Sequence, residues 1–174
     1  MGRREPEGDS ALVLLAPGAE PIVRELRNRF DPAADLGIGA HITVLYPFMP
    51  ISNLDDDAEA AVAALAGRHA AFDLTLMEVR QWPEVVYLAV DPEGPVRDLT
   101  EEAVKCWPQH PPYGGVFDGV VPHLTIGHGG DDLLAEALAS VAPLLPVTLR
   151  MSELSLLLMD GERWSRIRAF PLGE

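Results

Sequence analysis

The tripeptides His41-Ile42-Thr43 and His123-Leu124-Thr125 stand 82 residues apart, nearly half of a 174-residue chain, and each sits in a strand-like run, HITVLYPF and VVPHLTIGH. Side chains of a strand alternate between faces, so His41 and Thr43 share one face while Ile42, Val44 and Tyr46 point the other way into apolar packing. The second run divides in the same manner, with His123 and Thr125 opposite Leu124 and Ile126. Polar pairs on otherwise hydrophobic strands must be hydrogen-bonded or must line a groove that holds water or a ligand. Two such strands at equivalent places constrain the fold to two similar lobes related by an internal pseudo-twofold.

The elements around the two runs recur in the same order. A strand from Ala11 to Ala16 precedes a helix from Glu20 to Phe30, with Ile22, Val23 and Leu26 as its apolar stripe and Arg24, Arg27 and Arg29 as its wet one. After HITVLYPF, Asn53 to Asp57 starts a second helix, its acids at the positive end of the helix dipole and Ala58, Val62 and Leu65 behind them. Three consecutive carboxylates on a helix splay around its axis, which argues against Asp55, Asp56 and Asp57 as a metal site. Two strands, FDLTLMEV and EVVYLAV, form a hairpin joined by Arg80 to Pro83, and a third helix runs from Pro95 to Trp107. The second half holds a long loop, PQHPPYGGVFDG, the strand VVPHLTIGH, a helix from Asp131 to Val141, and two closing strands, TLRMSELSLLLMD and RWSRIRAFPL. A single α+β domain over residues 1–174 is expected, residues 1–10 being a ragged N-terminus.

Charge and composition narrow the function. Thirteen basic against 27 acidic residues give a formal charge of −14, which repels nucleic-acid phosphates and excludes bulk coating of RNA or DNA. The run Ala11 to Ala16 is too short, and Glu5, Glu7 and Asp9 too close to it, for a signal peptide. No stretch approaches the roughly 20 apolar residues of a membrane span. Cys106 is the sole cysteine, which rules out an intrachain disulfide and fits a reducing compartment. A cytoplasmic monomer is expected.

Two imidazoles and two hydroxyls facing each other across a groove suit a phosphodiester. A neutral histidine takes a proton from the nucleophile and a protonated one supplies a proton to the departing oxygen. The threonine hydroxyls hold the nonbridging oxygens as charge builds there. The pair predicts a bell-shaped pH profile with an optimum near neutrality.

The paired His-x-Thr motifs, HITVLYPF and PHLTIGH, resemble those of the 2H phosphoesterase superfamily, in its bacterial 2′-5′ RNA ligase-like branch. The likeness runs from the first strand to RIRAFPL. It implies a bilobal α+β fold in which antiparallel sheets line a central groove with helices outside, and action on 2′,3′-cyclic or 2′-5′ phosphodiester linkages without a metal or other cofactor. By that resemblance His41 and His123 are catalytic, and Thr43 and Thr125 contact phosphate. One departure is that an arginine commonly ends the second motif, where this chain has Gly127 and His128.

Other candidates surround these four. Tyr113 and Phe117 of the long loop can stack a base, and Trp82 and Phe48 can flank the groove. His128 is a further candidate for substrate contact, although strict alternation turns it to the opposite face. Arg150, Arg163, Arg166 and Arg168 are the late basic concentration from which a phosphate contact can come. The expected activity is hydrolysis of a cyclic phosphodiester in a small nucleotide or at an RNA end. The alternatives are 2′-5′ ligation, a nucleotide-binding protein without turnover, an acidic partner-binding module, and a metal hydrolase built on His123, His128 and Asp131 or Asp132.

Overall fold

The computed structural model describes residues 9–111 and 121–174. The elements are β1 (Asp9–Leu15), α1 (Glu20–Phe30), α2 (Pro32–Asp35), β2 (His41–Leu45), α3 (Asp56–Gly67), β3 (Phe72–Trp82), β4 (Val85–Asp91), α4 (Gly94–Cys106), β5 (His123–His128), α5 (Asp131–Ser140), β6 (Val147–Met151), β7 (Glu153–Met159) and β8 (Trp164–Pro171). The described strands form one sheet of eight in the order β6-β3-β4-β5-β2-β1-β7-β8, every neighbouring pair antiparallel. The motif strands β2 and β5 meet at its centre, and each has the strand that precedes it in sequence, β1 or β4, on its outer side.

Several boundaries differ from the sequence reading, each for a tertiary reason. β1 begins at Asp9 because β7 offers partners as far as Met159, and the Ser10 hydroxyl is buried and donates to the Met49 carbonyl at 2.5 Å. β3 runs on through Arg80 and Gln81 to Trp82, paired with Tyr87, Val86 and Val85, so the hairpin turn is Pro83-Glu84, with Glu84 at φ 66°. The run TLRMSELSLLLMD divides at Ser152: its first part pairs with β3 and its second with β1 and β8. β6 and β7 are first and seventh in the sheet, yet one residue joins them. The sheet must therefore curl until its β6 edge approaches β7.

One face of the sheet is packed against helices, with Ile42, Val44, Leu124 and Ile126 in the main core. The helices are exchanged between halves: α1 lies on β5 and α4 on β2. Both contacts depend on a bulge. In β2 the register passes from Val13↔Thr43 to Leu12↔Leu45, so Val44 is the extra residue. Its carbonyl accepts the buried Thr100 hydroxyl of α4 at 2.8 Å. In β5 the register passes from Tyr87↔Thr125 to Val86↔Gly127, so Ile126 is the extra residue. Gly127 lies against the end of α1, and a Cβ there would come within 2.5 Å of Phe30 Cβ.

Asp55 caps α3, its Oδ1 accepting from the Ala58 amide at 2.8 Å, as the acidic start predicts. Arg27 departs from the expected wet stripe of α1, being only 2 % exposed. Its guanidinium donates to Asp31 at 3.1 Å and to the Ile38 carbonyl at 2.9 Å, binding the segment before β2 to the helix. A charged group so buried is tolerated because each side of the guanidinium finds an acceptor.

Two substitutions test the exchanged packing. Thr100→Val keeps the shape but leaves the Val44 carbonyl unpaired, and urea unfolding should show a loss of about 1–3 kcal/mol. Gly127→Ala should cost about 1–3 kcal/mol by overpacking against Phe30. A change below a few tenths of a kcal/mol in either would mean that the helix contact relaxes freely.

Candidate active site

The central strands pair through Ile42↔Leu124. The antiparallel register around that pair sets His41 beside Thr125 and Thr43 beside His123, all four half-buried on the face away from the core helices. Each imidazole is held by the same device. His41 Nδ1 lies 2.8 Å from the Gly39 carbonyl, and His123 Nδ1 lies 2.7 Å from the Val121 carbonyl, two residues back in both cases. A carbonyl only accepts, so Nδ1 carries the proton and Nε2 is left as the working nitrogen.

Both rings are held below the ordinary histidine value. Burial is the larger cause for each, opposed by the hydrogen bond to Gly39 or Val121. Arg27 and His123 lower His41 further, and Asp31 acts the other way. The Arg27–Asp31 pair is thus both a clamp on the preceding segment and part of the field at the ring.

The bulges decide what flanks the motifs. Val44 and Leu45 both enter the main core, so Tyr46 returns to the histidine side, edge-on to Trp164 at 5.8 Å, and finds its apolar packing in the second, smaller core cluster and not in the main core that alternation predicts. Ile126 and Gly127 likewise both face the helices, so His128 comes back to the histidine side, exposed and paired in register with Val85. Strict alternation gives the wrong face for His128 because it does not count the extra residue.

Trp82 is on this side as well, stacked on Tyr87 with centroids 3.9 Å apart and edge-on to His123 at 4.7 Å. Tyr87, itself 5.6 Å from His123, escaped the sequence reading. Its signal was an aromatic in a strand of aliphatics, opposite Arg80 in the hairpin and Thr125 across the sheet. Arg80 stands in the same row and is ion-paired to Glu78.

Phe48 is a correction. It is buried in the main core, 4.9 Å from Trp107 at the end of α4, because its amide donates to the Ser10 carbonyl and turns the ring to the helix side. Tyr113 and Phe117 lie outside the described residues. Of the late arginines, Arg168 pairs with Glu59 of α3 at 3.0 Å and so faces the helices, while Arg166 pairs with Glu153 at 3.0 Å and Arg150 with Asp73 at 3.2 Å.

The two halves do not present the same surface. Where β3 and β4 offer Arg80, Trp82 and Tyr87, β7 and β1 offer Ser155, Leu157 and Val13, and Ile38 and Trp164 pack over the apolar ones. The Ser155 hydroxyl is buried there with no hydrogen-bond partner among the described residues. No three histidine, cysteine, aspartate or glutamate side chains converge as a metal site among the described residues. No helix among them is long and apolar enough to cross a membrane.

An antiparallel sheet with two histidine–threonine pairs abreast at its centre defines the class of two-histidine phosphoesterase folds. The chain belongs to the 2′-5′ RNA ligase superfamily, which residues 15–163 match. Among solved structures it is similar to Escherichia coli LigT, with a TM-score of 0.60 and 19% identity to the NADP+ complex, over 97% of this chain and 100% of that one. LigT has also been solved with 3′-AMP. A structure described as a phosphoesterase is similar at a TM-score of 0.58 and 18% identity, over 97% of this chain and 100% of that one. TT0787 of Thermus thermophilus is similar at a TM-score of 0.60 and 16% identity, over 95% of this chain and 99% of that one. No curated protein sequence matches.

The depressed imidazoles have a measurable sign. In NMR titration the His41 and His123 ring protons should each move with a midpoint below about 6.5, the unperturbed value. The unfolded chain binds those protons at higher pH than the folded one, so stability should fall as pH drops from about 6.5 toward the folded midpoints. A midpoint at or above the unperturbed value for either ring would contradict its burial as the controlling influence.

Proposed function

We propose that this protein hydrolyses a cyclic phosphodiester, of the 2′,3′-cyclic kind, in a small nucleotide or at an RNA end, using its own side chains for both proton transfers. The observation that carries the reading is the pair of imidazoles, each with Nδ1–H tied to a carbonyl two residues back and each beside the other motif's threonine.

Phosphorus sits between the two rings. One neutral Nε2 takes a proton from water as the water oxygen bonds to phosphorus. The bond from phosphorus to the 2′ or 3′ oxygen breaks, and the other ring, protonated at Nε2, gives that oxygen its proton. The product is a phosphomonoester. Thr43 and Thr125 hydroxyls donate to the nonbridging oxygens as charge builds. Which ring is the base follows from the side on which the leaving oxygen lies.

The base of the nucleotide lies toward Trp82, whose ring is already braced by Tyr87 and so loses little freedom on stacking. His128 lies at that end of β5 and contacts the nucleotide. The complexes of LigT with NADP+ and 3′-AMP support a nucleotide as the ligand class. With an alcohol in place of water the same groups serve 2′-5′ joining, and the superfamily's name supports that second reading.

Each positioned acid or base contributes on the order of 10² to 10⁴ in rate, so His41→Ala and His123→Ala should each lower kcat on adenosine 2′,3′-cyclic phosphate at least about a hundredfold. The double variant should lose far less than the product of the two. The kcat/KM profile should be bell-shaped with its optimum below about 6.5, and the kcat profile should lie at higher pH, because bound phosphate favours imidazolium. Activity that survives EDTA is expected, and a loss restored by one divalent metal would overturn the mechanism. So would a kcat within a few-fold of the parent after removal of either histidine.

A further inference from the structure

A recess of about 410 Å³ lies at the start of β2, with residues of β1, β7 and β8 in its wall, on the opposite side of that strand in the sheet order from β3, which carries Trp82. Gly39 and Ala40, the residues leading into His41, form part of its wall, together with Leu15, the cross-strand partner of His41. Arg150 and Arg166 complete it from β6 and β8. The curl of the sheet brings these two arginines together, since they belong to strands far apart in the sheet order.

We infer that this recess binds a second phosphate of the substrate, the one on the 5′ oxygen of the nucleotide whose cyclic phosphate lies between the histidines. The inference rests on the cyclic phosphodiesterase reading for its chemistry and on the recess for its placement. In a ribose the 2′,3′ edge has the base on one side and the 5′ carbon on the other. With phosphorus between the imidazoles and the base toward Trp82, the 5′ end points into the recess.

The recess has hydrogen-bond donors left for an anion. Glu20 and Glu153 also line the recess, but both carboxylates are already engaged. Glu20 accepts from the Ala40 amide at 2.5 Å and from Arg24 at 3.3 Å, and Glu153 accepts from Arg166. Each arginine, in contrast, spends only Nη1 on its ion pair, Arg150 toward Asp73 and Arg166 toward Glu153. A guanidinium has five N–H donors in a fork that matches phosphate, so donors remain for a ligand. In a chain of net charge −14, two guanidiniums in one recess beside a histidine mark the place an anion can enter. The recess is larger than a phosphate with its sugar carbon needs, and its volume lies within the range of small-ligand sites.

The substrate class follows. A nucleoside cyclic phosphate with a free 5′ hydroxyl leaves the recess empty. A 5′-phosphorylated nucleotide, or an RNA end whose last residue carries a 5′ diester, fills it. The test compares kcat/KM for adenosine 2′,3′-cyclic phosphate, the same compound with a 5′-phosphate, and a dinucleotide ending in a cyclic phosphate. Either phosphate-bearing substrate should exceed the first by about tenfold at low salt. An advantage confined to the monoester marks a small nucleotide as substrate, and one shared by the dinucleotide marks an RNA end.

Calorimetry with adenosine 3′,5′-bisphosphate and 3′-AMP reads the recess without turnover. The bisphosphate should bind about tenfold more tightly, and R150Q with R166Q should bring the ratio near one. Because both arginines are exposed, the unmodified protein gives a second reading: raising salt from about 0.05 to 0.5 M should erase most of the difference. Equal binding of the two ligands by the parent, or a ratio that survives both substitutions, overturns the inference. Failure of all three substrates to turn over would instead count against the cyclic phosphodiesterase reading, with calorimetry still deciding the recess.

Discussion

Everything at the site depends on one contact between backbones, the pairing of β2 with β5 around Ile42↔Leu124. Each histidine belongs to a half that is well paired on its outer side, and this short seam is the one strand pairing between the halves among the described strands. Its antiparallel sense brings the histidine of one motif beside the threonine of the other, so each such pair draws on both halves. The exchanged helices reinforce the seam from behind. α4 holds the Val44 carbonyl through Thr100, and α1 meets Gly127 through Phe30. Each helix therefore presses the strand of the opposite half into place, and the seam is wider in side chains than it is in backbone hydrogen bonds.

The sequence reading reached the four central residues because a period of two is a local property: histidine, aliphatic, threonine in a strand can be read without knowing the neighbours. It failed where a neighbour decides. Whether Val44 or Ile126 is an extra residue depends on how many residues β1 and β4 spend opposite it, and the faces of Tyr46 and His128 change with that count. Arg27 looked like a solvent residue because helical spacing allowed it; Asp31 ends the same helix, but the Ile38 carbonyl that also receives the guanidinium lies on a segment placed only by the tertiary fold. Phe48 followed from adjacency to the motif, and the bond from its amide to Ser10 sends it to the core instead. Helix positions were legible for a different reason: caps such as Asp55 act on amides two or three residues away.

The pseudo-twofold is close in backbone and loose in side chains. Both motif strands carry their bulge one residue after the threonine, and both histidines use the carbonyl two residues back. The outer strands have diverged into an apolar, covered flank with Trp164 on one side and an aromatic, charged flank with Trp82 and Arg80 on the other. The two histidine–threonine pairs are thus near-symmetric, while the walls on either side of them differ in shape and polarity.

The single residue between β6 and β7 has a mechanical meaning. The halves are joined at the sheet's centre by β2 and β5 and again at Ser152, where one strand run passes from the far edge back to β1. A body fastened along two separate lines does not swing about either of them. The separation of the imidazoles is then a property of the whole fold, comparable to the span of an arch fixed at both feet. Parting the imidazoles would strain the backbone at Ser152 as well as the β2–β5 pairing.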